Sequence, residues 1–211
     1  MKKMIILTSN GLSSSNLLNE TAKYVRTNGK AAIITTASVG YKEKDWNIPR
    51  LTQELKQIGL SVACIDVEYD NPEILLQYDV VEIIGGNPFH LLNQLQLCNA
   101  ESILNEIGRE KILIGISAGS AVLQNSIELI AQYSPEMNED VLITDLTGLS
   151  LTKVEILPHY NRFLSRFDRF EERAKEYEQK NFCKVIRLND GEGVIITDND
   201  SWEVIQMETK V

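Results

Sequence analysis

Short apolar runs recur along the first part of the chain, each bounded by glycine, asparagine or a polar cluster. Residues 4–8, 31–35, 62–65, 80–84 and 112–116 all fit this description. Continuous apolar runs of this length predict strands buried on both faces, because alternation arises only where one face meets water. Helical segments lie between them: 17–27, ending at Asn28-Gly29; 49–58, stopping at Gly59; a short helix after Asn71-Pro72; and 89–107, with a break near Asn99. Glycine and asparagine stop helices by tolerating the left-handed backbone, and proline suits a first turn. The stretch 37–47 reads as a loop. Strands alternating with helices predict βαβ units and a parallel sheet covered by helices on both faces.

After Val122 the pattern changes. Residues 131–140 are polar and irregular, and 154–157 is strand-like and runs into Pro158-His159-Tyr160-Asn161-Arg162. A strongly charged helix is expected over 166–180. Short strands at 184–188, 193–197 and 203–206, with turns at Asn189-Asp190-Gly191 and Asp198-Asn199-Asp200, predict an antiparallel C-terminal extension that lengthens or flanks the parallel sheet. The fold class is therefore α/β. With 211 residues, 43% of them hydrophobic, the chain has enough apolar material for one sizeable core, and 1–211 reads as a single domain.

Composition narrows the function. A net charge of −9 offers no basic face for nucleic acid. Cys64, Cys98 and Cys183 are scattered with no Cys-x-x-Cys spacing, which speaks against a disulfide framework or a zinc site and for a reducing compartment. The apolar run after Met1-Lys2-Lys3 is too short for a signal peptide, and no segment approaches the ~20 apolar residues of a membrane helix. The expectation is a cytoplasmic protein without a nucleic-acid or membrane partner.

Chemistry concentrates where the apolar strand 112–116 breaks into Ser117-Ala118-Gly119-Ser120. Gly115-x-Ser117-x-Gly119 between a strand and a helix fits a nucleophile elbow, a sharp turn that presents a serine at its bend. An ordinary βα turn of small residues fits it too. Ligands in open α/β sheets bind beyond the carboxyl ends of the strands. Gly85-Gly86-Asn87 and Ser9-Asn10-Gly11 also fall there. Glycines beside the serine expose backbone N–H groups of the kind an oxyanion hole requires, and the Ala118 amide would be the second donor.

A serine hydroxyl needs a base. The chain has only two histidines. His159 follows Pro158 at a strand end, the same kind of place as Ser117. His90 begins a helix beside Leu91 and Leu92 and reads as a capping or packing residue. For the orienting carboxylate, Asp140, Asp145, Asp168, Asp190 and Glu192 are all available, and the segment around Asp190-Gly191 also reads as a plain hairpin turn.

These residues together resemble the peptidase E family of serine peptidases, the aspartyl dipeptidase and cyanophycinase group. The resemblance covers essentially the whole chain. It rests on Gly85-Gly86-Asn87, Gly115-x-Ser117-Ala118-Gly119, Pro158-His159-Tyr160 and the Asp190-Gly191-Glu192 region, in the family's order. It implies a fold like that of class I glutamine amidotransferases, with serine in place of cysteine. It further implies Ser117 as nucleophile, His159 as general base, and the Gly86 and Ala118 amides as oxyanion hole. For the third member it points to Asp190, with Glu192 as a near alternative and Asp145 as another. Arg166 and Arg169 resemble the family's arginine pair, and with Asn87 they are candidates for binding substrate; their helix is otherwise charged enough to be a solvated face.

The function implied is a serine peptidase cleaving short peptides, among them dipeptides with an amino-terminal Asp, through a triad and an acyl-enzyme. No metal or organic cofactor is called for. A small peptide is the expected partner, and the chain is expected as a monomer or homodimer. The alternatives are a small-molecule esterase or amidase, and an inactive amidotransferase-like binding protein.

Overall fold

The computed structural model describes residues 3–197 and 201–208. The expected turn at 198–200 lies outside them. The five apolar runs form strands β1 (Met4–Thr8), β2 (Lys30–Ile34), β3 (Ser61–Ile65), β4 (Val80–Ile83) and β5 (Ile112–Ile116). All five are mutually parallel, and every residue of β1, β4 and β5 is buried. That burial on both faces is why these runs do not alternate.

Helices α1 (Ser15–Ala22), α2 (Ile48–Gln57), α3 (Pro88–Leu97), α4 (Ala100–Glu110), α5 (Ala118–Leu123) and α6 (Glu128–Tyr133) connect and flank the sheet. The break near Asn99 is real: Asn99 is left-handed, with φ 57°, and separates α3 from α4. Two expectations shift. The first helix begins earlier than expected, because the Ser14 side chain caps it by accepting from the Leu17 amide, and it ends at Ala22. The irregular stretch 131–140 is partly ordered, with α6 entering it and a 3₁₀ turn at Pro135–Asn138.

The remainder comprises β6 (Glu155–Leu157), α7 (Tyr160–Phe163), α8 (Phe170–Asn181), β7 (Val185–Arg187), β8 (Gly193–Thr197) and β9 (Trp202–Ile205). The charged helix starts at Phe170 rather than at 166, since Arg169 takes a left-handed backbone of φ 50° before it. The C-terminal extension divides in two. β8 pairs antiparallel with β1, and β9 antiparallel with β8, lengthening the main sheet. β7 instead pairs parallel with β6 in a separate ribbon. The reason is topological: α7 and α8 lie between these two strands, and a helical crossover returns the chain in the same direction.

The main sheet has the order β3-β2-β4-β5-β1-β8-β9. Its consequence for the site is direct. β4, β5 and β1 are neighbours and run parallel, so the segments after them, at Gly85-Gly86, Ser117 and Ser9, emerge side by side. Around the sheet lies the main apolar core. A smaller cluster of Tyr133, Leu157, Phe170 and Tyr177 packs α8 against α6.

Candidate active site

Ser117 occupies the bend between β5 and α5 with φ 48° and ψ −106°. A side chain in such a backbone is strained by about 1–3 kcal/mol and persists only where its surroundings fix it. Here β1 does so. The Ser117 amide donates to the Thr8 carbonyl at 3.0 Å. Ser120 Oγ donates to the same carbonyl at 3.0 Å and accepts from the Thr8 amide at 3.0 Å. Small residues at the bend have a steric cause: a β-carbon on Gly119 would lie 2.2 Å from the Ile83 carbonyl oxygen. Helix α5 therefore presses onto the end of β4 with no room for a side chain.

His159 follows β6 and, like Ser117, holds a positive φ, 57°. Its Nε2 lies 3.0 Å from Ser117 Oγ, and its Nδ1 lies 2.6 Å from Asp190 Oδ1. Asp190 comes from the turn between β7 and β8. Its Oδ1 also accepts from Ser9 Oγ at 2.8 Å, and its Oδ2 from Arg162 at 3.3 Å. Burial pushes the imidazole below its ordinary pKa, and the facing carboxylate only partly offsets this. Burial also works to raise Asp190, but bonds from Ser9 and His159, with Arg162 nearby, outweigh it and hold the carboxyl below its ordinary value. The His159 ring is thus neutral and the Asp190 carboxyl ionised near neutrality, with the ring proton on Nδ1 and Nε2 facing Ser117.

Gly86 and Gly85 lie against this group. A β-carbon on Gly85 would sit 3.2 Å from Ser117 Cβ. Gly86 has φ 144°, and a β-carbon there would collide with the Ala37 carbonyl at 2.2 Å. Among the described residues the Gly86 amide has no acceptor, and the Ala118 amide opens α5, where no helical partner exists. Both are available to an oxyanion.

The other candidates are placed elsewhere. Glu192 accepts from the Asn189 amide at 2.8 Å, and Asp145 from the Thr147 amide at 2.9 Å in its own exposed turn. Asn87 caps α3, accepting from the Phe89 and His90 amides and donating to the Met137 carbonyl. His90 faces Glu68. Arg166 stacks over the Phe163 and Phe167 rings, and Arg169 is paired with Glu176. Neither arginine lines the cavity of about 470 Å³ over Ser117. That cavity is bounded by Gly86, Ser117 and His159, together with Trp46, Arg50 and Arg162. These last three were not singled out by sequence reasoning. Arg50 and Trp46 come from the 37–57 segment, whose approach to the serine depends on β2 pairing with β4 and carries no local mark. Arg162 had a signal, three residues after His159, where a helical turn returns a side chain to the same face. Among the described residues no group of three or more His, Cys, Asp or Glu could hold a metal ion, and no helix is long and apolar enough to cross a membrane.

Comparison with known proteins gives the family and the fold. The model of Peptidase family S51 matches residues 5–204. An uncharacterized peptidase of Listeria monocytogenes is 30% identical over 138 residues, covering 63% of this chain and 67% of that protein. Peptidase E of Haemophilus influenzae is 28% identical over 171 residues, 76% of this chain and 74% of its own. Alignments with two further bacterial peptidases span only 53% and 51% of their lengths. A crystal structure from Listeria monocytogenes, provisionally assigned as peptidase E, superposes with a TM-score of 0.79 at 22% identity over 99% of this chain and 100% of that one. It shares the mostly parallel, amidotransferase-like sheet.

Proposed function

This chain belongs to peptidase family S51, a family of peptide-bond hydrolases, and from that premise we propose that it is a serine peptidase of short peptides acting through Ser117, His159 and Asp190. The observation that carries the reading is the unbroken line from Ser117 Oγ through the His159 ring to Asp190, with contacts of 3.0 and 2.6 Å. Ser117 attacks the scissile carbonyl while its proton passes to His159 Nε2. The Gly86 and Ala118 amides receive the oxyanion. Collapse of the tetrahedral intermediate gives the proton to the leaving amine and leaves an acyl-serine. Water, deprotonated by the same ring, then releases the acid.

Recognition of an acidic substrate group falls to Arg50 and Arg162, the guanidiniums that line the cavity. Each is partly committed, Arg50 to Glu54 and Arg162 to Asp190, and Asp45 also lines the wall. A dipeptide panel tests the reading: amino-terminal Asp against Ala, Leu and Lys, with matching esters. Cleavage of Asp peptides above the others supports recognition by these arginines, and indifference removes it. Cleavage of esters alone would make the protein an esterase.

A further inference from the structure

Ser9 is wholly buried at the carboxyl end of β1, yet its hydroxyl is fully engaged with the catalytic pair. It donates to Asp190 Oδ1 at 2.8 Å. It accepts from the His159 backbone amide at 2.9 Å, and its oxygen lies 3.3 Å from His159 Nδ1. One hydroxyl thus touches both partners of the histidine–carboxylate contact, from a strand that is neither's neighbour in sequence. A hydroxyl has a single proton. Because Asp190, a carboxylate, only accepts, that proton points at Asp190. The lone pairs of Ser9 then face His159, where they suit an N–H at Nδ1 and not a bare nitrogen. The same oxygen satisfies the amide of a residue held in a left-handed backbone, which otherwise costs free energy.

We propose that Ser9 is a positioning residue for this site: it fixes the His159 backbone and selects the ring tautomer that leaves Nε2 free to take the serine proton. The inference rests on the Ser117–His159–Asp190 reading. Ser9 acts through Asp190 and His159, the two residues its hydroxyl contacts. The charged groups around the ring are Asp190 and Arg162, so removing the Ser9 donor leaves a more basic carboxylate facing the imidazole with Arg162 unchanged.

The test is Ser9→Ala, measured as kcat/KM against pH in wild-type and Asp190→Asn backgrounds, with a thermal melt of each. The expected result is a loss of about 10- to 100-fold in wild type, the scale of a hydrogen bond to a charged group. The acid limb should move to higher pH, and the loss should shrink once Asp190 is gone, as coupled residues require, leaving only the part carried by the His159 backbone amide. Ser9→Cys keeps the volume with a poor donor and should show the same shift if Ser9→Ala does not fold. An unmoved acid limb with equal losses in both backgrounds would overturn the proposal. Ser117→Ala separates the two claims. Full activity in that variant defeats the triad reading, whereas its inactivity beside an unperturbed Ser9→Ala defeats only the role of Ser9.

Discussion

At the scale of single residues, the site consists of groups whose charge states are set by their surroundings. His159 is held below its ordinary pKa by burial, more than Asp190 raises it. The free base works only when neutral, so kcat/KM should rise with pH along an acid limb whose midpoint lies below about 6.5, the ordinary histidine value. A midpoint at or above that value in the wild-type profile would contradict the burial argument. Asp190→Asn keeps the shape but lets the ring adopt the wrong tautomer, and kcat should fall by about ten-thousandfold. The equivalent change at Glu192 or Asp145 should leave kcat within a few-fold, since their carboxylates are occupied by backbone amides of their own turns. The serine and its histidine were legible in the sequence for a simple reason: a nucleophile needs a base, and the chain has two histidines. The contact of Asp190 with His159 was less legible, because five carboxylates were available and only the path of the turn after β7 brings this one to the ring.

At the scale of elements, the elbow is a device of close packing. Its serine is strained, and Thr8 and Ser120 on either side of the β1–α5 contact hold the strain in place. Gly119→Ala would drive a methyl into the Ile83 carbonyl. Overpacking against backbone costs about 1–3 kcal/mol, so a thermal or urea melt should show a loss of that size together with reduced labelling of Ser117. A variant as stable and as reactive as wild type would mean that α5 stands off further than the structure has it. Asn87→Ala should cost about 1 kcal/mol through loss of the α3 cap, with KM little changed; a large rise in KM at unchanged stability would return Asn87 to the substrate. The parallel strands were readable because burial on both faces leaves an uninterrupted apolar run. The β6–β7 ribbon was not, because three-residue strands carry too little pattern to show direction, and direction there follows from the helices between them.

At the scale of the whole molecule, one buried group stands out against the apolar sheet. Glu82 lies on β4 between β2 and β5, is fully buried, and both carboxyl oxygens lack a hydrogen-bond partner among the described residues. Burial, with Glu54 adding to it, pushes its pKa from 4.5 to about 8. The folded state therefore binds a proton that the unfolded chain has released. Stability is full below pH 4.5 and declines as pH rises through 8. Glu82→Leu should raise Tm more at pH 8.5 than at pH 5, and an equal gain at both would show that Glu82 does not titrate in this range. Sequence reasoning passed over Glu82 because a lone carboxylate in an apolar run does not declare which way it points.

The same global order makes the site possible. Placing β4, β5 and β1 side by side sets a glycine pair, a strained serine and a buried hydroxyl at one edge, and the β6–β7 ribbon brings in the histidine and its acid. The central claim is that this convergence activates Ser117. It is tested most directly by reacting the folded protein with a fluorophosphonate probe and mapping the adduct by mass spectrometry, with Ser117→Ala as control. The account predicts a single adduct on Ser117 in wild type and none in the variant. A well-folded wild type that stays unlabelled, or a variant that labels equally, would contradict it.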